Sequence, residues 1–115
     1  MIINKKTRQI ICKNVVKRKT LFEKATGLMF KKDIDDETAY LFYFNKKSKI
    51  SIHMFFVFFP IDIIFLDENF KVVEMAKLRP WQLYKSKENA KYFIEVKSGV
   101  ARKKRIKIGD YFEIF

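Results

Sequence analysis

Three polar side chains interrupt otherwise apolar, strand-like segments, and together they could perform acid–base chemistry. His53 and Asp62 fall within the apolar stretch 50–66, and Glu95 stands between two aliphatic residues. A buried carboxyl group must be hydrogen-bonded or paired with a cation, or else its pKa rises. If the three converge in one cleft, they predict an enzyme or a small-molecule pocket. The alternative is structural, with Asp62 held by backbone amides or by Arg79.

The segment Arg79–Tyr84 joins a cation, a proline and two large aromatic side chains. Arg, Trp and Tyr are enriched at recognition surfaces, because a guanidinium pairs with anions and aromatic rings stack. Arg79 and Trp81 are therefore candidate ligand-binding residues. The structural alternative is that Trp81 covers one end of the core while Arg79 pairs with a carboxylate.

The densest basic run consists of Arg102, Lys103, Lys104 and Arg105, and it continues after Ile106 with Lys107. The whole chain has 25 Lys plus Arg against 13 Asp plus Glu, a formal net charge of +12. Such a run binds phosphates with strong salt dependence and without reading sequence. It therefore predicts an anionic ligand or a nucleic acid as partner. A solvated, lysine-rich surface typical of proteins adapted to high temperature is the alternative.

Metal and thiol chemistry are not expected from the composition. The chain has one Cys and one His, Cys12 and His53, whereas structural zinc sites use several such ligands. Met29 and Met54 could join them around a soft metal, but methionines in apolar strands usually fill gaps in a core. Cys12 is interpreted as a small buried hydrophobe. Without a Gly-rich phosphate loop or a nucleophile motif, no cofactor is predicted.

Short strands must position these candidates. Apolar and aromatic runs separated by turn residues predict these strands. The runs are Ile2–Ile3, Gln9–Val16, Thr38–Phe44, Ile50–Met54, Pro60–Asp67, Phe70–Lys77, Tyr92–Lys97, Ile106–Ile108 and Tyr111–Phe115. Alternation places Ile50, Ile52 and Met54 on one face of their strand. The turn residues Asp67-Glu68-Asn69 predict a hairpin.

One helix is predicted near the N-terminus. Thr20-Leu21-Phe22-Glu23 forms a capping box, in which the Thr20 side chain accepts from the Glu23 amide and the Glu23 carboxylate reaches back to the Thr20 amide. A helix of about two turns should follow and end at Gly27. The predicted fold is mainly β, an antiparallel β-sandwich or jelly-roll-like barrel with one short N-terminal helix.

Length and composition predict one domain over residues 1–115, folded on its own core. The single Cys excludes an intramolecular disulfide and is compatible with the cytoplasm. Polar residues occupy positions 4–9, where a secretory signal would have an apolar segment. The stretch 50–66 is shorter than the ~20 residues of a membrane helix and contains Asp62. Neither secretion nor membrane insertion is therefore expected.

Five segments occur in a characteristic order along the chain. They are Gly27-Leu28-Met29, Leu41–Phe44, His53-Met54 with Pro60–Asp67, Tyr92–Val96 with Ser98-Gly99, and Ile106–Asp110. Together they resemble the uncharacterised family called domain of unknown function number 192. The resemblance implies a mainly β, jelly-roll-like sandwich with a short helix near its start, and it implies no reaction. Many members carry a Lys-Asn-Thr-like polar stretch where this chain has His53–Val57, so any site built by that stretch is altered here.

The leading hypothesis is a non-enzymatic binding or interaction module with a basic surface. Its anionic ligand or acidic partner would meet Arg79, Trp81 and the run Arg102–Lys107. The first alternative is a small enzyme or small-molecule binder around the three polar residues described above. The second is a structural subunit of an assembly, which the run Phe55–Phe59 would favour if part of it is exposed.

Overall fold

The regular structure of the chain is mainly β. The computed structural model describes residues 1–19 and 28–115. Its elements are β1 (Ile2–Asn4), β2 (Ile10–Cys12), β3 (Asn14–Arg18), β4 (Thr38–Ser48), β5 (Ser51–His53), β6 (Ile61–Leu66), β7 (Val72–Leu78), β8 (Leu83–Lys85), β9 (Ala90–Lys97), α1 (Val100–Lys103) and β10 (Phe112–Ile114). The predicted N-terminal helix at residues 20–27 lies outside the described residues.

A five-stranded sheet of order β3-β4-β9-β6-β7 forms the centre of the fold. Strand β6 is buried at every position, as a continuously apolar strand requires when both faces are covered. The hairpin predicted at residues 67–69 joins β6 to β7 in antiparallel pairing. Its turn is held by the Asp67 carboxylate, which accepts from the Asn69 and Lys71 amides at 2.8 and 2.9 Å.

Two further layers cover the two faces of this sheet. Strands β5 and β8 pair over one face and enclose an aromatic core with Tyr40, Phe42, Phe65 and Phe93. The sheet β10-β1-β2 and helix α1 cover the other face and enclose an aliphatic core rich in Ile, Leu and Val. Side chains of β6 alternate between the two cores, because successive residues of a strand point to opposite faces.

The antiparallel pairing predicted for all strands is wrong for one pair. Strand β3 runs parallel to β4, with Asn14 opposite Thr38 and Arg18 opposite Phe42. The chain between the two strands, residues 19–37, is long enough to return it to the starting end of the sheet, as parallel neighbours require. The sheets are therefore mixed. The strand orders are open in the described part of the chain, so these strands do not close into the predicted barrel.

Two predicted strands also differ from the structure. The run Gln9–Val16 divides at Lys13 into β2 and β3, which belong to different sheets. The run Ile106–Ile108 is not a strand but the exit from α1, which the sequence did not predict. The chain turns there because Arg105 and Gly109 adopt left-handed backbone conformations, with φ of 55° and 100°. The remaining predicted strands are confirmed, with boundaries shifted by a few residues.

Candidate functional site

His53, Asp62 and Glu95 do not share a cleft. Across β6 and β9, Asp62 pairs with Val96 whereas Glu95 pairs with Ile63, so the two carboxyl groups point to opposite faces of the sheet. His53 lies in the outer strand β5, where its Nδ1 accepts from the Phe55 amide at 3.2 Å. The geometry therefore gives no support to the predicted acid–base pocket around these three residues.

Asp62 holds the start of α1. Its side chain is only 4% exposed, and Oδ2 accepts from the backbone amides of Gly99 and Ala101 at 2.9 and 3.1 Å. These contacts match the structural alternative for Asp62, with backbone amides rather than Arg79 as its partners. A carboxylate bound in this way stabilises the turn between β9 and α1.

Glu95 is a buried carboxyl group on the aromatic-core face of the sheet. Burial raises its pKa from 4.5 to about 8, and the nearby Arg18 guanidinium only partly offsets this rise. Among the described residues, no group forms a hydrogen bond with its Oε1. Arg18 itself lies 5.6 Å from the centre of the Tyr40 ring. Glu95 therefore retains its proton to higher pH than an exposed glutamate does.

Glu74 is a buried carboxylate that the sequence did not single out. It accepts from the Tyr84 hydroxyl and from the backbone amides of Lys87 and Glu88, both at 2.9 Å. The hydrogen bond to Glu74 raises the pKa of Tyr84 to about 12. Tyr84, at the end of the Arg79–Tyr84 segment, is thus committed to an internal contact. The sequence gave no sign of the contact with Glu74, because Tyr84 stands in a run that is typical of exposed surfaces.

Cys12 should be unreactive in the folded protein. It is fully buried, and burial together with the nearby Glu37 raises the pKa of its thiol to about 11. Since the thiolate is the reactive form, we expect no labelling by iodoacetamide at pH 8 in native buffer. The same protein unfolded in guanidinium, followed by mass spectrometry, serves as the positive control. Equal labelling rates in the two states would contradict this expectation.

An aromatic patch is the most distinctive exposed feature of the described surface. It consists of Phe30, Phe55, Phe56, Phe58 and Trp81, which are 67%, 41%, 42%, 55% and 50% exposed. Within the run 55–59, Val57 and Phe59 are buried in the aromatic core, and they anchor the loop that presents the other members. Contiguous exposed apolar patches of this kind mark interaction sites.

Contacts between rings make the aromatic patch one continuous surface. The ring of Phe56 lies between Phe30 and Trp81, with centroid distances of 5.0 and 4.9 Å. Phe55 and Phe58 approach Trp81 at 6.3 and 6.5 Å. Trp81 contacts three of the other rings and is thus the centre of the patch. Phe30 was missed, because nothing in its neighbourhood in the sequence indicates contact with residues 55–81.

The backbone of the aromatic patch is strained. Phe30, Phe56 and Trp81 have φ values of 64°, 58° and 68°, in the left-handed region that bulky residues rarely adopt. Each such residue costs on the order of 1–3 kcal/mol, and such strain clusters at functional sites. Backbone hydrogen bonds of 2.8 Å hold two of these residues in place, from the Phe30 amide to the Phe56 carbonyl and from the Trp81 amide to the Met54 carbonyl. The exposed rings are therefore held in a defined arrangement.

The basic candidates occupy two different surfaces. Arg79 is exposed two residues before Trp81, and its amide donates to Gln82 Oε1 at 2.9 Å. Arg102 and Lys103 lie on α1, and Lys104 and Arg105 in the turn after it, on the aliphatic-core side of the sheet. Lys103 there forms an exposed ion pair with Asp36 at 3.2 Å. Of the predicted basic site residues, only Arg79 therefore lies near Trp81.

The described residues, 1–19 and 28–115, include no helix with the length and apolar character needed to cross a membrane. In the same part of the chain, no three His, Cys, Asp or Glu side chains cluster as metal ligands would.

Comparison with known proteins places the chain in a family. Residues 2–114 match domain of unknown function number 192, described as "Uncharacterized ACR". A UPF0127 protein from Pyrococcus horikoshii is 39% identical over 84% of this chain and 83% of its own length. One from Thermococcus sibiricus is 36% identical over 96% of this chain and 71% of its own length.

A solved structure shares the fold of this chain. A protein of unknown function from Novosphingobium aromaticivorans superposes with a TM-score of 0.81 at 27% identity, over 87% of this chain and 74% of that protein. The family predicted from the five ordered segments is thereby confirmed. The chain belongs to the uncharacterised family of domain of unknown function number 192, whose curated relatives are UPF0127 proteins.

Proposed function

We propose that this chain is a non-enzymatic interaction module that binds an acidic, amphipathic protein segment on its aromatic patch. The observation that carries the proposal is the cluster of five exposed rings, three of which stand on strained backbone. Residues 1–115 would act as one cytoplasmic domain in this role. The scaffold would be a layered β-sandwich related to a jelly roll.

The apolar character of the patch favours a partner with apolar anchors. Leu83, two residues after Trp81 in the chain, is also 66% exposed, and neither Leu nor Phe side chains form hydrogen bonds. Trp and Arg dominate the binding energy of many protein interfaces, especially where rings fill a water-excluded centre. Trp81 in the middle of the patch and Arg79 at its margin have this arrangement.

The charge of the chain favours an acidic partner. The formal net charge is +12, and the exposed cations Lys32, Arg79 and Lys85 lie close in sequence to members of the patch or to Leu83. Complementary charge accelerates encounter and selects partners. A single-stranded nucleic acid would also be attracted and would stack on the rings. Stacking makes no use of the aliphatic Leu83, so the observations favour a protein segment.

Binding can be followed with the protein's own fluorescence, because Trp81 is the only tryptophan and is half exposed. We expect peptides rich in Asp and Glu, with Leu or Phe at helical spacing, to shift the Trp81 emission to shorter wavelength in a saturable titration. Phe58→Ser should weaken this binding by roughly tenfold, the effect of a moderate interface residue. The matched control is Phe115→Ser, which removes an equally exposed phenylalanine outside the patch and should change the affinity less than about twofold.

Three results would contradict the proposal. The first is equal peptide affinity for Phe58→Ser and the unchanged protein, and the second is the failure of every peptide in a panel to saturate. The third is a Trp81 shift caused by a single-stranded oligonucleotide but not by peptides, which would assign the patch to nucleic acid. A concentration-dependent dimer abolished by Phe58→Ser would instead identify a second copy of the chain as the occupant.

A further inference from the structure

A groove of about 580 Å³ lies outside the aromatic patch and shares no residue with it. It is formed where the turn after β1 meets the chain between α1 and β10, in the layer over the aliphatic core. We call it the lysine groove, because Lys5, Lys6 and Lys107 line it. The sequence indicated only Lys107, as the last member of the basic run.

The charges that line the lysine groove favour an anion. Three lysines and a single acidic residue, Asp110, are among the residues that line it. This carboxylate is already engaged, since Asp110 Oδ2 accepts from the Lys107 amide at 2.9 Å. The groove therefore has a net positive charge, and ammonium groups bind phosphate oxygens through charge-assisted hydrogen bonds.

Ile108 and Tyr111 form the apolar part of the lysine groove. They are 65% and 44% exposed, although both belong to large apolar side-chain types. The ammonium nitrogen of Lys71 lies 5.9 Å from the centre of the Tyr111 ring, within the range of a cation–π contact. An exposed tyrosine beside lysines is suited to a ligand that has both a flat ring and a negative charge.

Hydrogen bonds fix the backbone that forms the groove. The Lys5 amide donates to the Tyr111 carbonyl at 2.8 Å and joins the two sides. The buried Asn4 side chain holds the turn, because its Oδ1 accepts from the Lys6 and Thr7 amides at 3.0 and 3.2 Å. The Gly109 amide donates to the Val72 carbonyl at 2.8 Å. Ligand sites are usually preformed in this way.

We infer that the lysine groove binds a small phosphorylated ligand with a planar ring, of the nucleoside diphosphate class. The phosphates would contact Lys5, Lys6 and Lys107, and the base would lie against Tyr111 and Ile108. The volume falls within the roughly 300–1,000 Å³ of small-molecule sites. This inference does not depend on the aromatic patch, which shares no residue with the groove.

Calorimetric titration of the full chain with ADP tests the phosphate contacts. We expect saturable binding that the double variant Lys5→Ala/Lys107→Ala weakens by at least about tenfold, since both ammonium groups would contact phosphate. Lys46→Ala is the charge control, because Lys46 is exposed and lies outside the groove. It should change the affinity less than about twofold. Circular dichroism of each variant checks that it folds.

A second variant tests the ring contact. Tyr111→Leu keeps the backbone bond to Lys5 and should weaken ADP binding by roughly tenfold, the contribution of one stacked base, without changing the affinity for inorganic pyrophosphate. Three outcomes would overturn the inference. They are an absence of saturable ADP binding, an equal loss in Lys46→Ala, or pyrophosphate binding as tight as ADP binding.

Discussion

Replacing Asp62 with alanine should lower the free energy of unfolding by about 3 kcal/mol, because two charge-assisted hydrogen bonds are lost in a poorly solvated position. The Gly99 and Ala101 amides both donate to this carboxylate. They would be left without an acceptor at the junction between β9 and α1. Asp62→Asn keeps one acceptor oxygen without the charge and should have an intermediate effect. Guanidinium unfolding at pH 7 measures each free energy.

Asp35→Ala is the control for this experiment. The Asp35 carboxylate also accepts from a backbone amide, that of Glu37 at 2.8 Å, but at an exposed position. Exposed substitutions of this kind usually change stability by less than about 1 kcal/mol. If Asp62→Ala were no more destabilising than Asp35→Ala, the contacts of Asp62 would not hold the start of α1 as described.

Glu95→Gln should change how stability depends on pH. The folded-state pKa of Glu95 is raised to about 8 from 4.5, so the folded protein retains this proton more tightly than the unfolded chain. Well below pH 4.5 both states are protonated, and Glu95 adds no pH-dependent term to the free energy of unfolding. Between pH 4.5 and about 8, the ionisation of Glu95 in the unfolded chain lowers the free energy of unfolding by up to about 1.4 kcal/mol for each pH unit. Because Gln does not ionise, the free energy of unfolding of Glu95→Gln should rise relative to that of the unchanged protein as the pH increases. This difference should level off above pH 8.

The informative quantity is the difference between the two unfolding curves, since it cancels the contributions of other titrating groups. Unfolding free energies measured at pH 5, 6, 7 and 8 give this difference directly. Glu88→Gln, at an exposed position, should give a difference that is small and nearly independent of pH. If the difference in free energy of unfolding for Glu95→Gln were also independent of pH, Glu95 would ionise in the folded protein near its ordinary pKa.

The aromatic patch and the lysine groove are the two surface features on which the proposed binding functions rest. The patch exposes large rings at a cost in hydration and backbone strain, and the groove gathers lysines without neutralising them. Because they lie over different cores of the same sheet, occupation of one would leave the other accessible. The two proposals can therefore fail or succeed independently.

Local pattern in the sequence was sufficient to predict most strands and the family. Alternation in Ile50–Met54 correctly placed Ile50, Ile52 and Met54 in the core, because a strand with one buried face imposes a period of two. The continuous apolar run that became β6 is buried at every position, as a strand covered on both faces requires. The run Phe55–Phe59 and Trp81 were selected from the sequence, and Phe55, Phe56, Phe58 and Trp81 are exposed.

Contacts between distant segments depended on the tertiary structure. Asp62 and Glu95 both interrupt apolar strands, yet the register between β6 and β9 decides that they point to opposite faces, and no local pattern encodes that register. The parallel pairing of β3 with β4, the approach of Phe30 to Phe56, and the meeting of Lys5 with Lys107 likewise join segments far apart in sequence. Sequence alone thus determined most of the strands and much of the core, although β8 and α1 were not predicted, while packing of the layers decided which polar and aromatic groups meet. The physical reason is that strand propensity and periodicity are local properties, whereas sites form where separate segments are held together.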